Sequence, residues 1–270
     1  MAKQRLDVLL VERNLAETRE KAKRLIMAGK VFSNEMRLDK PGMKVDQSIP
    51  LNIKGKEFPY VGRGGLKLEK ALDYFAIDVT DKIMVDIGSS TGGFTDCALQ
   101  RGVKLSYAID VGYNQLDWKL RNDERVIVME RTNFRYVTEE LFKHGKPNFA
   151  TIDVSFISLE LILPVLKKIL NKQSDIIALV KPQFEAGRHQ VGKKGIIRDK
   201  KIHMAVLNKI IDFAKAEGYD LFDLTFSPIT GSSGNIEFLL HLGWQKEQHP
   251  SDQTHRRAVE QTVNEAHDRL

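Results

Sequence analysis

Along most of this chain, short apolar runs rich in β-branched residues alternate with stretches whose apolar positions recur every three or four residues. The runs predict strands at 82–87, 104–110, 125–130, 148–153, 175–181, 221–227 and 235–241; the stretches predict helices near 93–101, 113–121, 138–143, 158–170 and 200–217. Such alternation predicts a parallel sheet with helices on both faces and a ligand crevice at the carboxyl ends of the strands. The last two runs are joined through Thr230-Gly231-Ser232-Ser233-Gly234 without a helix, so they should pair antiparallel. The first 60 residues are patterned differently. A short apolar helix at 5–13 is followed by one that starts at the N-cap Thr18, carries Ala22, Leu25 and Ile26 on one side and stops at Gly29. Val31-Phe32, Lys44-Val45 and the run 49–53 then suggest a small curled sheet.

After Pro59, Gly62-Arg63-Gly64-Gly65 reads as a flexible joint ahead of a helix over 66–75. The expected organisation is a small α+β domain over 1–60, a large α/β domain over 61–244, and a polar tail over 245–270, weakly helical after Arg256 and read as a solvated arm. Seven strands with one reversed are the arrangement of class I methyltransferases, a Rossmann-like fold.

Charge sharpens this division. Residues 1–60 hold 13 Lys/Arg against 8 Asp/Glu, residues 61–244 hold 25 against 23, and residues 245–270 hold 4 against 5. A basic excess concentrated in the smallest ordered part points to a polyanion partner, and Arg19 and Lys23 on one helix face near Lys30 would suit an RNA clamp. A solvated basic surface is the plainer alternative. A single cysteine, Cys97, excludes a disulfide framework and fits a reducing cytoplasm. A charge interrupts the first apolar stretch and no run of about 18 apolar residues occurs, so neither a secretory leader nor a membrane span is expected. His189 and Glu185 are spaced across Gly187, and no metal site is expected.

The motif Arg5-Leu6-Asp7-x-Leu9-Leu10, with Thr18-Arg19-x-x-Ala22 and Ile26-x-x-Gly29-x-Val31, resembles the S4 RNA-binding domain over residues 3–60. The resemblance implies RNA contacts from Arg5, Arg19, Lys23 and Lys30. Asn34-Glu35-Met36 departs from it where the family often has a small turn with glycine.

In the large domain the most informative stretch is Met84-Val85-Asp86-Ile87-Gly88-Ser89-Ser90-Thr91-Gly92-Gly93-Phe94-Thr95, a strand breaking into a glycine-rich turn and a helix. Its Asp-x-Gly-x-x-x-Gly-Gly pattern is neither the dinucleotide fingerprint nor a phosphate loop. An acid ahead of the turn would suit a cationic or amino-bearing ligand such as S-adenosylmethionine. Asp86, Gly88, Ser89, Gly92, Gly93 and Phe94 are the candidate contacts, with Asp86 and Gly88 nearest the methionine part. Asp110, ending the second strand, would accept from ribose hydroxyls. An ordinary tight turn, and a helix N-cap role for Asp110, give the same pattern.

Four further charged residues stand where the sheet argument would gather them. They are Lys67, Asp153, Lys181 and Glu237, and each alone also fits a structural salt bridge. Their order resembles the Lys-Asp-Lys-Glu tetrad of FtsJ-like RNA ribose 2′-O-methyltransferases, across residues 62–242. Together with Gly62–Leu68, Thr151–Ser158 and Lys181-Pro182-Gln183-Phe184-Glu185, the whole chain resembles the TlyA family, historically labelled haemolysin A. That resemblance implies S-adenosylmethionine-dependent methylation of cytidine 2′-hydroxyls in ribosomal RNA, and an adenine contact at Asn133. A ribose hydroxyl is a weak acid, so its proton must be taken up and its oxygen aligned with the sulfonium methyl. Lys181 is the expected orienting base, Asp153 its partner, and Lys67 and Glu237 positioning groups. The stretch 182–195 reads as a mobile basic lip, and Arg63 and Arg188 complete the expected RNA contacts. No Asn/Asp-Pro-Pro-Tyr/Phe motif follows the fourth strand, which argues against exocyclic amines as acceptors. An RNA-binding assembly factor without catalysis and a cytolysin are the competing readings; the intact tetrad opposes the first and the lack of a spanning or strongly amphipathic basic segment the second.

Overall fold

A computed structural model describes residues 3–27, 29–54, 59–192, 194–231, 233–247 and 255–270, apart from the side chains of Arg188 and His255. The chain divides into two compact units, Met1–Glu57 and Phe58–Leu270, so the boundary falls a few residues before position 60.

The first unit runs β1 (Lys3–Arg5), α1 (Leu6–Glu12), α2 (Arg19–Met27), β2 (Val31–Ser33), β3 (Met36–Arg37), β4 (Lys44–Asp46) and β5 (Asn52–Ile53). β1 pairs antiparallel with β4, and β2 lies between β3 and β5. Leu6, Leu10, Ala22, Ile26, Val31 and Leu38 form its core. The departure at 34–36 is resolved by Asn34, which adopts φ +53° and makes the β2–β3 turn in place of glycine.

The second unit continues with α3 (Gly65–Tyr74), β6 (Ile83–Ile87), α4 (Gly93–Gln100), β7 (Leu105–Ile109), α5 (Trp118–Arg121), β8 (Val126–Met129), β9 (Phe149–Ile152), α6 (Leu163–Ile169), β10 (Ser174–Val180), α7 (Pro182–Glu185), α8 (Lys200–Ala216), β11 (Tyr219–Phe226), β12 (Phe238–Trp244) and α9 (His255–Arg269). Its seven strands are ordered β11-β12-β10-β9-β6-β7-β8, with β12 antiparallel to both neighbours and the other neighbouring pairs parallel. One face is filled by residues such as Leu163, Leu166, Leu207 and Ile210, the other by Leu68, Leu72, Phe94 and Cys97. Burial pushes the Cys97 thiol up to about 12, so it packs as an apolar group.

Four expectations are corrected. The helix expected at 113–121 is confined to Trp118–Arg121, because Asn114 takes a left-handed φ of +56° and Asp117, in an extended conformation, starts the helix by accepting from Lys119 N; the Glu130 carboxylate holds the turn before it through the amides of Asn114, Gln115 and Leu116. The helix expected at 138–143 is a single 3₁₀ turn, Glu139–Leu141. The last strand starts at Phe238 instead of 235, since Asn235 is occupied with a loop: its side chain accepts from the Ile197 amide and donates to the Gly195 carbonyl. The tail is no solvated arm either. Val259, Val263 and Ala266 are buried against the core, and Lys200 on α8 reaches Asn264 at 3.0 Å.

Candidate active site

The parallel register brings Ile87, Ile109 and Ile152 side by side, so the residues that follow them emerge along one edge of the sheet. β12 runs the other way, with Phe238 opposite Val180, and its beginning therefore lies at the same edge. This places Glu237 beside the carboxyl ends of its neighbours. α3 delivers Lys67 from above that edge.

The four expected charges form one continuous chain. Lys67 Nζ lies 2.6 Å from Glu237 Oε2 and 3.9 Å from Asp153 Oδ2, and Lys181 Nζ lies 2.5 Å from Asp153 Oδ1. Lys181 also donates to Ser155 Oγ at 3.0 Å. Lys67, Lys181 and Glu237 are buried, and two cations against two carboxylates make the cluster neutral. Asp153 is its most open link. Its side chain is 20% exposed, and Oδ1 touches Lys181 as a charge contact without an aligned hydrogen bond.

Beside this chain stands the glycine turn. Gly88 has φ +84°, and a Cβ there would lie 2.5 Å from the Asp153 carbonyl oxygen, so only glycine lets the turn cross the tetrad segment so closely. The amides of Gly88 and Ser89 both donate to the Ile109 carbonyl. Asp110 accepts from Ser90 N and Gly112 N, each at 2.7 Å, and ties the turns after β6 and β7 together. Asn133 is exposed and caps the 3₁₀ turn after β8 by accepting from Arg135 N.

Two candidate cofactor contacts are corrected. Asp86 is fully buried and turned inward: its carboxylate accepts from Thr95 and Thr151 hydroxyls at 2.7 and 2.8 Å, and burial raises its pKa to about 6. Phe94 is 3% exposed and belongs to the core beneath Gly64. The glycines of 62–65 are not a loose joint. A Cβ on Gly65 would strike the Tyr60 ring, one on Gly62 would strike Thr91, and one on Gly93 would lie 2.9 Å from Gly65 N. Val61 N donates to Asp96 as well. These glycines permit the close packing that seats α3, and with it Lys67, on the turn.

Sequence reasoning missed two features of this edge. Ser155 supports Lys181, and Phe156, in an unusual φ of +63° for a non-glycine residue, is 90% exposed with its ring 4.8 Å from that of Phe184. A phenylalanine in an apolar stretch reads as core, so only its placement reveals it.

In the first unit the missed residue is Asp7. Its fully buried carboxylate holds Arg5 Nε at 2.9 Å and Arg19 Nε at 2.8 Å, and the hydrogen bond from Arg5 helps depress its pKa to about 2. Both guanidinium side chains remain about half exposed. Lys23 pairs with Glu20 at 2.6 Å. Arg63 is exposed; the side chain of Arg188 lies outside the described residues.

Comparison with known proteins agrees with both units. The FtsJ-like methyltransferase profile matches residues 60–244, and the S4 domain profile residues 4–48. The 16S/23S rRNA (cytidine-2′-O)-methyltransferase TlyA of Mycobacterium tuberculosis is 40% identical over 262 residues, 97% of each chain. The chain belongs to the TlyA family of FtsJ-like methyltransferases. YqxC of Bacillus subtilis, provisionally named an rRNA methyltransferase, shares 66% identity with this TlyA-family chain over 268 residues, covering 99% of it and 95% of YqxC. A solved structure from Streptococcus thermophilus, provisionally called a hemolysin, superposes with a TM-score of 0.78 at 52% identity, covering 100% of this chain and 97% of that one. Among the described residues of the TlyA-family chain, no helix is long and apolar enough to cross a membrane.

Proposed function

We propose that this TlyA-family protein methylates ribose 2′-hydroxyls of ribosomal RNA with S-adenosylmethionine, cytidine being the nucleoside named for its M. tuberculosis relative. Ribosomal subunits would be its partners and the cytoplasm its place of work. The observation that carries the reading is the chain Glu237–Lys67–Asp153–Lys181, whose one partly exposed carboxylate belongs to Asp153, the residue whose backbone runs against the Gly88 turn.

The residues at this edge fit the cofactor. Asp110 keeps lone pairs free beyond its two amide bonds, the Gly88–Gly92 turn presents backbone without side chains at both ends, and Asn133 is exposed past the next strand. When bound, S-adenosylmethionine supplies an electrophilic methyl on a sulfonium. To act as the base Lys181 must first give up its own proton; as the neutral amine it would accept a hydrogen bond from the ribose hydroxyl and take its proton, and Asp153 would balance the charge Lys181 regains. Lys67, held by Glu237, fixes the other carboxylate oxygen and the sugar beside it. Phe156 offers a solvent-facing ring on which an unstacked base can lie, and stacking of that kind tolerates any base. Arg5 and Arg19, ordered on Asp7, suit phosphates of structured RNA.

The test is transfer of labelled methyl from S-adenosylmethionine to unmodified ribosomal subunits, with products mapped by resistance to alkaline cleavage. Wild type should label a ribose, and Lys181→Ala should lower turnover by about 100- to 10,000-fold. Near wild-type turnover in the variant would remove Lys181 from the chemistry. RNA and cofactor binding without methyl transfer by wild type would make the protein an assembly factor.

A further inference from the structure

The buried carboxylate of Glu185 has no part in the chemistry above, yet it lies four residues beyond Lys181 at the end of α7, 7% exposed. Its Oε2 accepts from Ser158 Oγ at 2.6 Å and its Oε1 from Leu159 N at 2.8 Å. Both partners belong to the segment that leaves β9 through Asp153, Ser155 and Phe156. That segment has no helix or strand between Asp153 and Ser158, and it contains the left-handed Phe156. Burial raises the pKa of the Glu185 carboxyl, so a position wanted for packing alone would be better filled by an apolar residue.

We infer that Glu185 is a positioning residue, which locks the Asp153–Ser155–Phe156 segment to the Lys181–Phe184 segment so that the proton acceptor, its partner and the exposed ring keep one geometry. Three ties join the two segments. Lys181 contacts Asp153 and Ser155, the Phe184 ring contacts Phe156, and Glu185 bonds Ser158 and Leu159. The first changes charge in the reaction and the second has to admit a base. Glu185 alone can hold constant while the others do their work, and its bonds to an amide and a hydroxyl are of the charge-assisted kind.

The inference rests on the methyltransferase reading, and its test separates the two. Glu185→Ala should reduce kcat about 30-fold, with the cofactor Kd and the RNA Kd within about two-fold, since misplacement by an ångström costs rate more than binding. Glu185→Gln can accept from Leu159 N and donate to Ser158 Oγ, so it should keep kcat within about three-fold; Ser158→Ala, losing one bond, should fall between. Amide exchange over 154–160, followed by mass spectrometry in the free protein, should quicken in Glu185→Ala and not in Glu185→Gln. A folded Glu185→Ala with unchanged kcat and unchanged exchange would reduce the residue to packing. Equal losses in the alanine and glutamine variants would make its charge, not its tie, the working feature and overturn the inference. Absence of methyl transfer in wild type would sink the methyltransferase reading alone, because the exchange experiment would still report on the tie.

Discussion

β10 carries a buried ionic cluster at each end, and each sets an aspartate between two lysines, with opposite outcomes. At its amino end the Asp175 carboxylate accepts from Lys82 at 2.7 Å, Lys246 at 2.5 Å and His241 at 2.8 Å. Those bonds outweigh burial and hold its pKa far below the usual carboxylate range. His241 is flanked by the rings of Phe75 and Phe222. At the carboxyl end Asp153 meets two lysines, one of them shared with Glu237, yet one of its oxygens lacks an aligned bond and its side chain is partly open to solvent. A saturated carboxylate is a fastener, and an unsaturated one at the strand ends is a site. Lysine beside aspartate in a buried setting does not tell them apart; the bonding left over does.

The sharpest way to break this contrast is to neutralise each acid in turn. Asp175→Asn leaves three donors around a weak acceptor and should cost about 3–5 kcal/mol of stability in urea unfolding, while methyl transfer per folded molecule stays at the wild-type level. Asp153→Asn should shift the balance, lowering turnover about 100-fold while costing less stability than Asp175→Asn, because its side chain is partly open to solvent and takes fewer aligned bonds. If both variants lost activity and stability together, the distinction would fail.

A smaller effect concerns acid. His203 on α8 is fully buried, with Nδ1 3.0 Å from Nε2 of His267 on α9, and burial lowers its pKa to about 4 from an ordinary 6.5. A depressed folded-state pKa gives stability that is present above the unfolded value and lost as pH falls. Stability should therefore decline between pH 6.5 and about 4, and His203→Gln should flatten that part of the profile, as measured by thermal unfolding against pH. A decline of the same steepness in the variant would assign the acid sensitivity elsewhere.

The smallest effect belongs to the first unit. Asp7→Asn should keep Arg5 and Arg19 charged but release them from a fixed orientation, weakening RNA binding by roughly three- to ten-fold with the salt slope unchanged. A change in salt slope would mean that the number of phosphates contacted had altered, not the order of the side chains.

How much of this was legible before folding depends on how far away each partner lies. The strands and the tetrad were readable because Asp153 and Lys181 each close an apolar run, and a charge in that place breaks the pattern on its own. Glu237 was readable as a member of the charge cluster but misplaced in its strand, since nothing local says that Asn235 is committed to Ile197 and Gly195. Asp86 failed for the same reason: an acid before a glycine turn looks alike whether a ligand or a pair of threonines satisfies it, and Thr151 is 65 residues away. The glycines of 62–65 suggested freedom because their neighbours, Tyr60, Thr91 and Gly93, become visible only in three dimensions. α9 was hidden by its polar composition, although Val259, Val263 and Ala266 already stood at helical spacing.

β10 also acts as a ruler. Every residue from Ser174 to Val180 is buried, and successive side chains alternate between the two faces. Removing or adding one residue anywhere within it would reverse the parity between the Asp175 cluster at one end and Lys181 at the other. Insertions and deletions compatible with both clusters are thus confined to the connections, and the length of this one strand is the measurement the rest of the sheet must keep.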